Sequence, residues 1–272
     1  MKLNRRQFAR TVGAGIAGAI LLPSLRGQGA AVSKTQEIRG IRAIVFDTLG
    51  TVVDWRGSII AEGEAWGKSK GVKVDWPLFV DRWYTGYRPA IEKVRKGELP
   101  WTKLDPLNRI ILEEVLQKFN ITGLSEDEKD HWNRVWHRLK PWPDSVAGLT
   151  RLKTKYTIAP LSNGNVSLLT DMAKNAGIPW DLILSAELAR HYKPDREAYL
   201  TAAELLSIKP GELMQAAAHT YDLNAAHNAG LRTGFIYRPN EWGPGAKADK
   251  ALPGAFDVVS ISIVDLATQM GC

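Results

Sequence analysis

The sequence has a single cysteine, Cys272, among its 272 residues, which excludes an intramolecular disulfide. Long hydrophobic runs are also scarce. The apolar run over residues 11–22 is too short and too rich in glycine to favour a stable membrane span. What remains is a composition typical of a globular protein, with 44% hydrophobic and 24% charged residues in a chain long enough for one large domain or two modest ones.

Acidic residues are absent from residues 1–32, and this absence inflates the formal net charge of +7. The segment holds five basic residues, so the rest of the chain carries only +2. A protein of this charge gives no electrostatic reason to predict a nucleic-acid partner. The five residues are Lys2, Arg5, Arg6, Arg10 and Arg26.

The same segment has the pattern of an export signal. Two adjacent arginines, Arg5 and Arg6, precede the apolar run, and small residues follow over residues 27–31. This order predicts a twin-arginine-type signal peptide over residues 1–32 and export to the periplasm by that route. An uncleaved N-terminal anchor is the alternative interpretation.

Strand and helix patterns alternate along most of the remaining chain. Residues 43–46 form an apolar run that predicts a strand buried on both faces, and Asp47 follows it directly. Further strands are predicted over residues 156–161, 182–185, 213–218, 233–237 and 256–259, with helices between them. This alternation indicates an α/β fold with a doubly wound, Rossmann-like parallel sheet.

Residues 56–139 show no strand pattern. Apolar residues at three- and four-residue steps predict helices over 59–69, 77–96, 104–119 and 126–139, the last opened by a capping box at Ser125 and Glu128. We therefore predict a helical cap domain over residues 56–139, inserted into a core domain of residues 39–55 and 140–271. Seven of the ten tryptophans lie between residues 55 and 136, which suggests an apolar cap surface and a possible homodimer contact.

Polar side chains follow four of the predicted strands. Each one alone has an ordinary structural explanation, such as capping a helix or lying in solvent. Their arrival in order at successive strand ends favours a shared site, because ligands of such sheets bind beyond the carboxyl ends of the strands. The loops contribute Asp47 and Thr51, Ser162 and Asn163, Lys193 with nearby Tyr199, and His219 with Asp222.

The order of these motifs resembles the haloacid dehalogenase superfamily of hydrolases. The helical insertion and residues 136–144 (Trp-His-Arg-Leu-Lys-Pro-Trp-Pro-Asp) resemble the type II 2-haloacid dehalogenases in particular, and the resemblance extends from Arg39 to Leu266. It implies that Asp47 attacks the halogen-bearing carbon of a small 2-haloacid, forming an ester that water hydrolyses to a 2-hydroxyacid. It also implies that Lys193 keeps Asp47 ionised and that Asp222 orients Lys193 and helps to activate water.

Leu49 distinguishes between the chemistries of this superfamily. Its phosphatases carry a second aspartate at that position as general acid, and leucine cannot donate a proton. They also hold Mg²⁺ with paired acidic residues in the fourth loop, where this chain offers Asp222 without an adjacent carboxylate. A halide leaving group needs neither proton nor metal, so we expect a metal-independent dehalogenase with no cofactor.

The substrate pocket departs from the family pattern. Tyr84 follows Trp83 where classical members have arginine, Leu49 replaces an aromatic residue, and Ala217 and His219 stand in place of serine and asparagine. His219 is expected either to accept a proton from the hydrolytic water or to position the substrate. Substrate contacts are predicted for Ser162, Asn163, Tyr84, Leu49 and Tyr199. Thr51 and Ser162 are expected to hydrogen-bond the carboxylate of Asp47 or that of the substrate. Backbone N–H groups near Ser162 and Asn163, at a helix start, are expected to hold the anionic end of the substrate.

These departures leave other functions open. A related enzyme of the same fold could open a strained ring at a C–N or C–O bond, with His219 protonating the leaving atom, or cleave a phosphate ester. A non-catalytic exported binding protein is the alternative from a different class.

Overall fold

A parallel six-stranded sheet organises residues 40–272, the part of the chain that the computed structural model describes. The predicted signal peptide lies outside these residues. In spatial order the strands are β5 (Leu184–Ser185), β4 (Thr157–Ser162), β1 (Ala43–Phe46), β6 (Leu213–Ala217), β7 (Arg232–Ile236) and β8 (Val258–Ser260). Since the chain proceeds outward from β1 in both directions, the predicted doubly wound α/β fold is confirmed.

The strand β1 lies at the centre of the sheet, and its side chains alternate between two apolar layers. Ile44 and Phe46 pack in the layer that contains Leu149 and Leu266, whereas Val45 packs in the layer that contains Tyr199. Helices therefore cover both faces, as the uninterrupted apolar pattern of β1 requires. They are α5 (Ser145–Lys153), α6 (Val166–Ala176), α7 (Ala186–Ala189), α8 (Arg196–Leu205), α9 (Thr220–Asn228) and α10 (Ile263–Gln269).

A short antiparallel ribbon, β2 (Val53–Asp54) with β3 (Lys140–Pro141), marks the two ends of the helical insertion. Strands of two residues are too short for a period-two pattern, so the sequence does not indicate them. Between them lie four helices and a 3₁₀ turn over Arg134–Arg138, and the predicted capping box of Ser125 and Glu128 is confirmed. The helices are α1 (Trp55–Lys70), α2 (Trp76–Arg95), α3 (Leu104–Lys118) and α4 (Glu126–Asn133).

The tryptophans of the insertion are mostly interior. Trp55, Trp83, Trp132 and Trp136 are each at most 2% exposed and belong to one hydrophobic core with residues of the sheet layer. They therefore stabilise the insertion and do not supply the apolar surface that the sequence suggests. The homodimer and the division into core and cap domains stay predictions. Within residues 40–272, no helix is long and apolar enough to cross a bilayer.

A buried histidine joins the insertion to the sheet layer. His137 of the 3₁₀ turn contacts Asp105 of α3 through Nε2 at 3.1 Å and Asp171 of α6 through Nδ1 at 2.8 Å. Burial alone would lower the pKa of His137, but the two carboxylates more than offset this effect and raise it. Both ring nitrogens face carboxylate oxygens, so the protonated imidazole is the form that fits.

Replacing His137 by glutamine should lower the free energy of unfolding in a pH-dependent way. Because the folded-state pKa of His137 is raised, its stabilisation is complete below the unfolded value of about 6.5 and disappears as the pH rises through the folded value. We expect a loss of about 1–2 kcal/mol at pH 6, limited by the exposure of Asp171, and a smaller loss at pH 9. Denaturant titrations at both pH values measure it, with the exposed His227→Gln as control; a loss that grows with pH would contradict the assignment.

Candidate active site

The turn after β1 brings Thr51 back onto Asp47. Gly50 has a φ of +81°, a conformation that glycine adopts without strain, and the turn closes through the backbone bond from Val52 N to Thr48 O at 2.9 Å. Thr51 then donates its hydroxyl to Asp47 Oδ2 at 2.8 Å. The Thr51 oxygen in turn accepts the backbone N–H of Ala218 at 2.9 Å, so the end of β6 holds the same group.

Lys193 reaches Asp47 from the loop before α8. Its ammonium donates to Asp47 Oδ1 at 3.0 Å and to Asp222 Oδ2 at 2.7 Å. The side chain of Asn163 brackets the Lys193 backbone, accepting from its N–H at 2.8 Å and donating to its carbonyl at 3.3 Å. Asp222 also accepts the hydroxyl of Tyr199 at 2.5 Å and the amide of Gln215 at 3.0 Å, which fixes the anion that orients Lys193.

His219 contacts the other oxygen of Asp47 and a carboxylate that the sequence does not indicate. Its Nδ1 lies 3.1 Å from Asp47 Oδ2, and its Nε2 lies 2.8 Å from Glu241 Oε1. Glu241 belongs to the glycine- and proline-rich loop after β7. Its position depends on tertiary contacts alone, so no local sequence pattern could have identified it.

Five ionisable groups thus alternate in sign across the site: Asp222, Lys193, Asp47, His219 and Glu241. Burial alone would raise the pKa of Asp47, but Lys193, His219 and the Thr51 hydroxyl together hold it well below its usual range. Burial alone would lower the pKa of Lys193, and the carboxylates of Asp222 and Asp47 more than offset this effect and raise it. Asp47 is therefore an ionised carboxylate between two cations.

In the free enzyme His219 has no lone pair available for its predicted role as a base; that role belongs to the later attack of water and stays a prediction. A base needs a free lone pair, yet both ring nitrogens of His219 face carboxylate oxygens. Burial would lower the pKa of His219, but its hydrogen bonds to Asp47 and Glu241 raise it well above the ordinary value. His219 is therefore an imidazolium that donates to both carboxylates.

A cavity of about 560 Å³ opens beside this cluster. Lys193, Asn163 and His219 line its floor, and helix α2 contributes Tyr84 and Arg88 to its wall. Tyr84 stacks on Trp55 with ring centroids 4.3 Å apart, so its ring is held rigidly against the insertion. Eight further residues line the cavity, among them two carboxylates: Tyr87, Ile91, Glu92, Arg95, Pro194, Tyr221, Trp242 and Asp249.

Three of the residues predicted to contact the substrate are not among those that line the cavity. The hydroxyl of Tyr199 is fully enclosed and bonds Asp222, so Tyr199 positions the anion that holds Lys193 and does not reach the cavity. The hydroxyl of Ser162 accepts the N–H of Gly164 at 3.3 Å, and no bond joins it to Asp47 among the described residues. Leu49 is buried beside Val53 and does not line the cavity.

The start of helix α6 already holds one carboxylate. Helix α6 begins at Val166, whose N–H donates to the carboxylate of Glu187 at 2.8 Å. The donors predicted for the anionic end of the substrate lie earlier in the same loop, at the backbone near Ser162 and Asn163. Their role therefore stays a prediction.

The ammonium of Lys193 lies between the carboxylates of Asp47 and Asp222 and pairs with both. A search of residues 40–272 finds no set of three or more histidine, cysteine or acidic side chains arranged to hold a metal ion. The two carboxylates therefore share a fixed cation that the protein itself supplies.

Comparison with known proteins defines the class as a hydrolase of α/β fold. A model of haloacid dehalogenase-like hydrolases matches residues 41–230, and the chain belongs to this family. The chain is 48% identical to the solved defluorinating L-2-haloacid dehalogenase Rha0230, with a TM-score of 0.83 and coverage of 85% of this chain and 96% of that one. The solved L-2-haloacid dehalogenase PA0810 is 45% identical, with a TM-score of 0.82 and coverage of 85% and 99%.

A characterised relative by sequence is (S)-2-haloacid dehalogenase 1 of Pseudomonas sp. (strain CBS-3). It is 27% identical over 213 residues, which are 74% of this chain and 86% of that protein. The resemblance to the type II enzymes, drawn from the motifs alone, is thereby confirmed.

Proposed function

We propose that this protein hydrolyses small 2-haloacids to 2-hydroxyacids through an ester on Asp47, without a metal ion. One observation carries the proposal: Asp47 is a buried, ionised carboxylate beside a cavity, held on opposite oxygens by Lys193 and by His219 with Thr51. The names of the solved relatives support the carbon–halogen bond as the target. Export to the periplasm belongs to the same proposal and rests on the sequence of residues 1–32.

The first step is a displacement at the halogen-bearing carbon. An oxygen of Asp47 forms the new C–O bond, and the halide leaves with the electrons of the broken bond. Lys193 and His219 hold Asp47 ionised at neutral pH, and they keep its charge fixed in position before the substrate binds. Leu49 is consistent with this chemistry because a halide leaves without protonation.

The leaving halide must depart on the side of the carbon opposite to Asp47. It is therefore directed toward the cavity wall formed by the insertion, where Tyr84 and Tyr87 lie. Burial raises the pKa of both phenols, so their hydroxyls keep their protons and are available as donors to a halide. The geometry is less suited to opening a strained ring, because His219 bonds the attacking carboxylate and lies on the wrong side to protonate a leaving atom.

Arg88 is the side chain best placed for the carboxylate of the substrate. It lines the cavity and lies over the ring of Tyr221 at 5.0 Å, and it has no ion-pair partner within residues 40–272. Arg95, about two turns further along α2, is already paired with Asp195 and Glu92. An arginine with unused donors beside a cavity is suited to an incoming carboxylate.

Substitution of Asp47 by asparagine should abolish halide release. The amide is a far weaker nucleophile, while its size leaves the cavity unchanged. Chloride or fluoride release from L-2-chloropropionate and fluoroacetate is the measurement, made with EDTA present, which should leave wild-type activity intact. The exposed Asp127→Asn is the matched control. Residual release by Asp47→Asn above the uncatalysed rate, or full loss of wild-type activity in EDTA, would contradict the proposal.

Substitution of Arg88 by methionine should raise KM for 2-haloacids by about tenfold to a hundredfold, the effect of losing one charged hydrogen-bonding partner. The value of kcat should change much less, because Arg88 contacts the substrate away from the reacting carbon. Arg82→Met is the matched control, since Arg82 is on the same helix but is not among the residues that line the cavity. Equal KM values for the two variants would show that Arg88 does not bind the substrate carboxylate.

A further inference from the structure

The two oxygens of Asp47 are not equivalent. Oδ2 accepts two hydrogen bonds, from the Thr51 hydroxyl at 2.8 Å and from His219 Nδ1 at 3.1 Å. Oδ1 accepts one, from the Lys193 ammonium at 3.0 Å. The oxygen with fewer donors has the more available lone pairs, so Oδ1 is the better nucleophile and Oδ2 the oxygen that remains on the carbonyl carbon.

Two donors aimed at a carbonyl oxygen resemble the oxyanion holes of acyl-transfer enzymes. When water attacks an ester of Asp47, negative charge develops on Oδ2. The hydroxyl of Thr51 and the N–H of His219 already point at that atom. His219 is suited to this task because an imidazolium donates a stronger hydrogen bond than a neutral group.

Glu241 is built into the fold beneath His219. Its side chain is 3% exposed, and its carboxylate lies against the Cα of Gly50, where an added Cβ would be 2.1 Å from Glu241 Oε1. The indole N–H of Trp55 also approaches this oxygen, at 3.5 Å. Among residues 40–272 the only cationic side chain in contact with Glu241 is His219, at 2.8 Å. A buried carboxylate with a single partner of this kind strongly favours the charged form of that partner.

We propose that His219 and Thr51 form the oxyanion hole for hydrolysis of the Asp47 ester, and that Glu241 is the positioning residue that keeps His219 charged at that stage. The proposal rests on the ester mechanism proposed above, and it gives the pair of Glu241 and His219 a role in the second step of that mechanism. It differs from a role as base, in which a neutral His219 would take a proton from the attacking water. The two roles predict opposite pH dependences.

The need for Glu241 arises from a change in charge during the reaction. In the free enzyme Asp47 itself helps to keep His219 protonated, but the ester of Asp47 is neutral. Lys193 retains Asp222 as its counterion, and His219 retains only Glu241. The same cavity is also lined by Lys193, which bonds Asp47, and by Asp249, whose carboxylate accepts the N–H and the hydroxyl of the adjacent Thr220 at 2.8 Å and makes no ion pair with His219. Tyr221, stacked on His219 at 5.7 Å, and Tyr84, in the same cavity, stay neutral because burial raises the pKa of both.

The hydrolytic step balances without a further reactant. Water adds its oxygen to the carbonyl carbon of Asp47, and the double-bond electrons move onto Oδ2. The bond from that carbon to Oδ1 then breaks, and Oδ1 leaves with the substrate carbon as the hydroxyl oxygen of the product. One proton of the water ends on that hydroxyl, with Lys193 beside Oδ1 in position to relay it, and the other passes to solvent as Asp47 becomes a carboxylate again.

The test is the pH dependence of Glu241→Gln. The amide preserves size and can still accept from Nε2, but it removes the counterion, so His219 should lose its proton in the ester as the pH rises. With L-2-chloropropionate we expect wild-type kcat to be flat between pH 6 and 9, and the kcat of Glu241→Gln to fall at least about tenfold over that range. At the high end of this pH range, Glu241→Gln should release halide in a burst equal in amount to the enzyme. The ester on Asp47 should then be detectable by mass spectrometry. The exposed Glu98→Gln is the matched control.

A base mechanism predicts the opposite sign. If neutral His219 deprotonated water, wild-type kcat would rise with pH, and Glu241→Gln would reach its plateau at lower pH. Either result would overturn the proposal.

A second measurement needs no substrate and keeps the test independent of folding defects in the variant. Nitrogen-15 spectra of histidine-labelled wild type, with His219→Gln to assign the signal, should show His219 as an imidazolium at pH 7.5. A neutral His219 would overturn the inference. If His219 is charged but the wild-type enzyme releases no halide from any 2-haloacid, the proposed function is wrong. The role of His219 in hydrolysis would then be withdrawn as well.

Discussion

One carboxylate between two cations is the arrangement on which this site depends. Asp47 bonds Lys193 through one oxygen and His219 through the other, and each cation has a buried carboxylate of its own, Asp222 or Glu241. Without Asp47 the site would hold two complete ion pairs. Asp47 is the additional charge, and burial would make it costly unless both cations remained in place. A buried nucleophile that stays ionised follows from this balance.

The fold supplies these charges from separate segments that meet at one edge of the sheet. Asp47 follows the central strand β1, and Asp222 lies in α9, the helix after the neighbouring strand β6. Lys193 lies in the loop before α8, further along the chain than β4, the neighbour of β1 on the other side. The long loop after β7 adds Glu241 and is tied to the first turn by Arg238, which donates to Thr51 O at 2.8 Å and to Asp144 at 2.7 Å. Ligand-binding groups on separate loops of a rigid sheet are typical of this architecture.

What the sequence could and could not predict follows from the range of the interactions. The strand before Asp47 and the loop that carries Lys193 are visible in local apolar and polar patterns, so they were predicted correctly, whereas Asp222, expected in a loop, lies in the first turn of α9. Glu241 was missed because its partner is 22 residues away and only tertiary contacts bring the two together. The place of Arg88 beside the cavity could not be predicted, because the face that α2 turns to the cavity depends on how the insertion packs against the sheet.

The most direct test of the central claim is the fate of oxygen in a single turnover. With the enzyme in excess over L-2-chloropropionate in water enriched in oxygen-18, attack of water on an Asp47 ester places the label in the carboxylate of Asp47. The account predicts that the peptide containing Asp47 gains one labelled oxygen and that the product hydroxyl stays unlabelled. Label in the product, with an unlabelled Asp47, would show that water attacks the substrate directly and would contradict it.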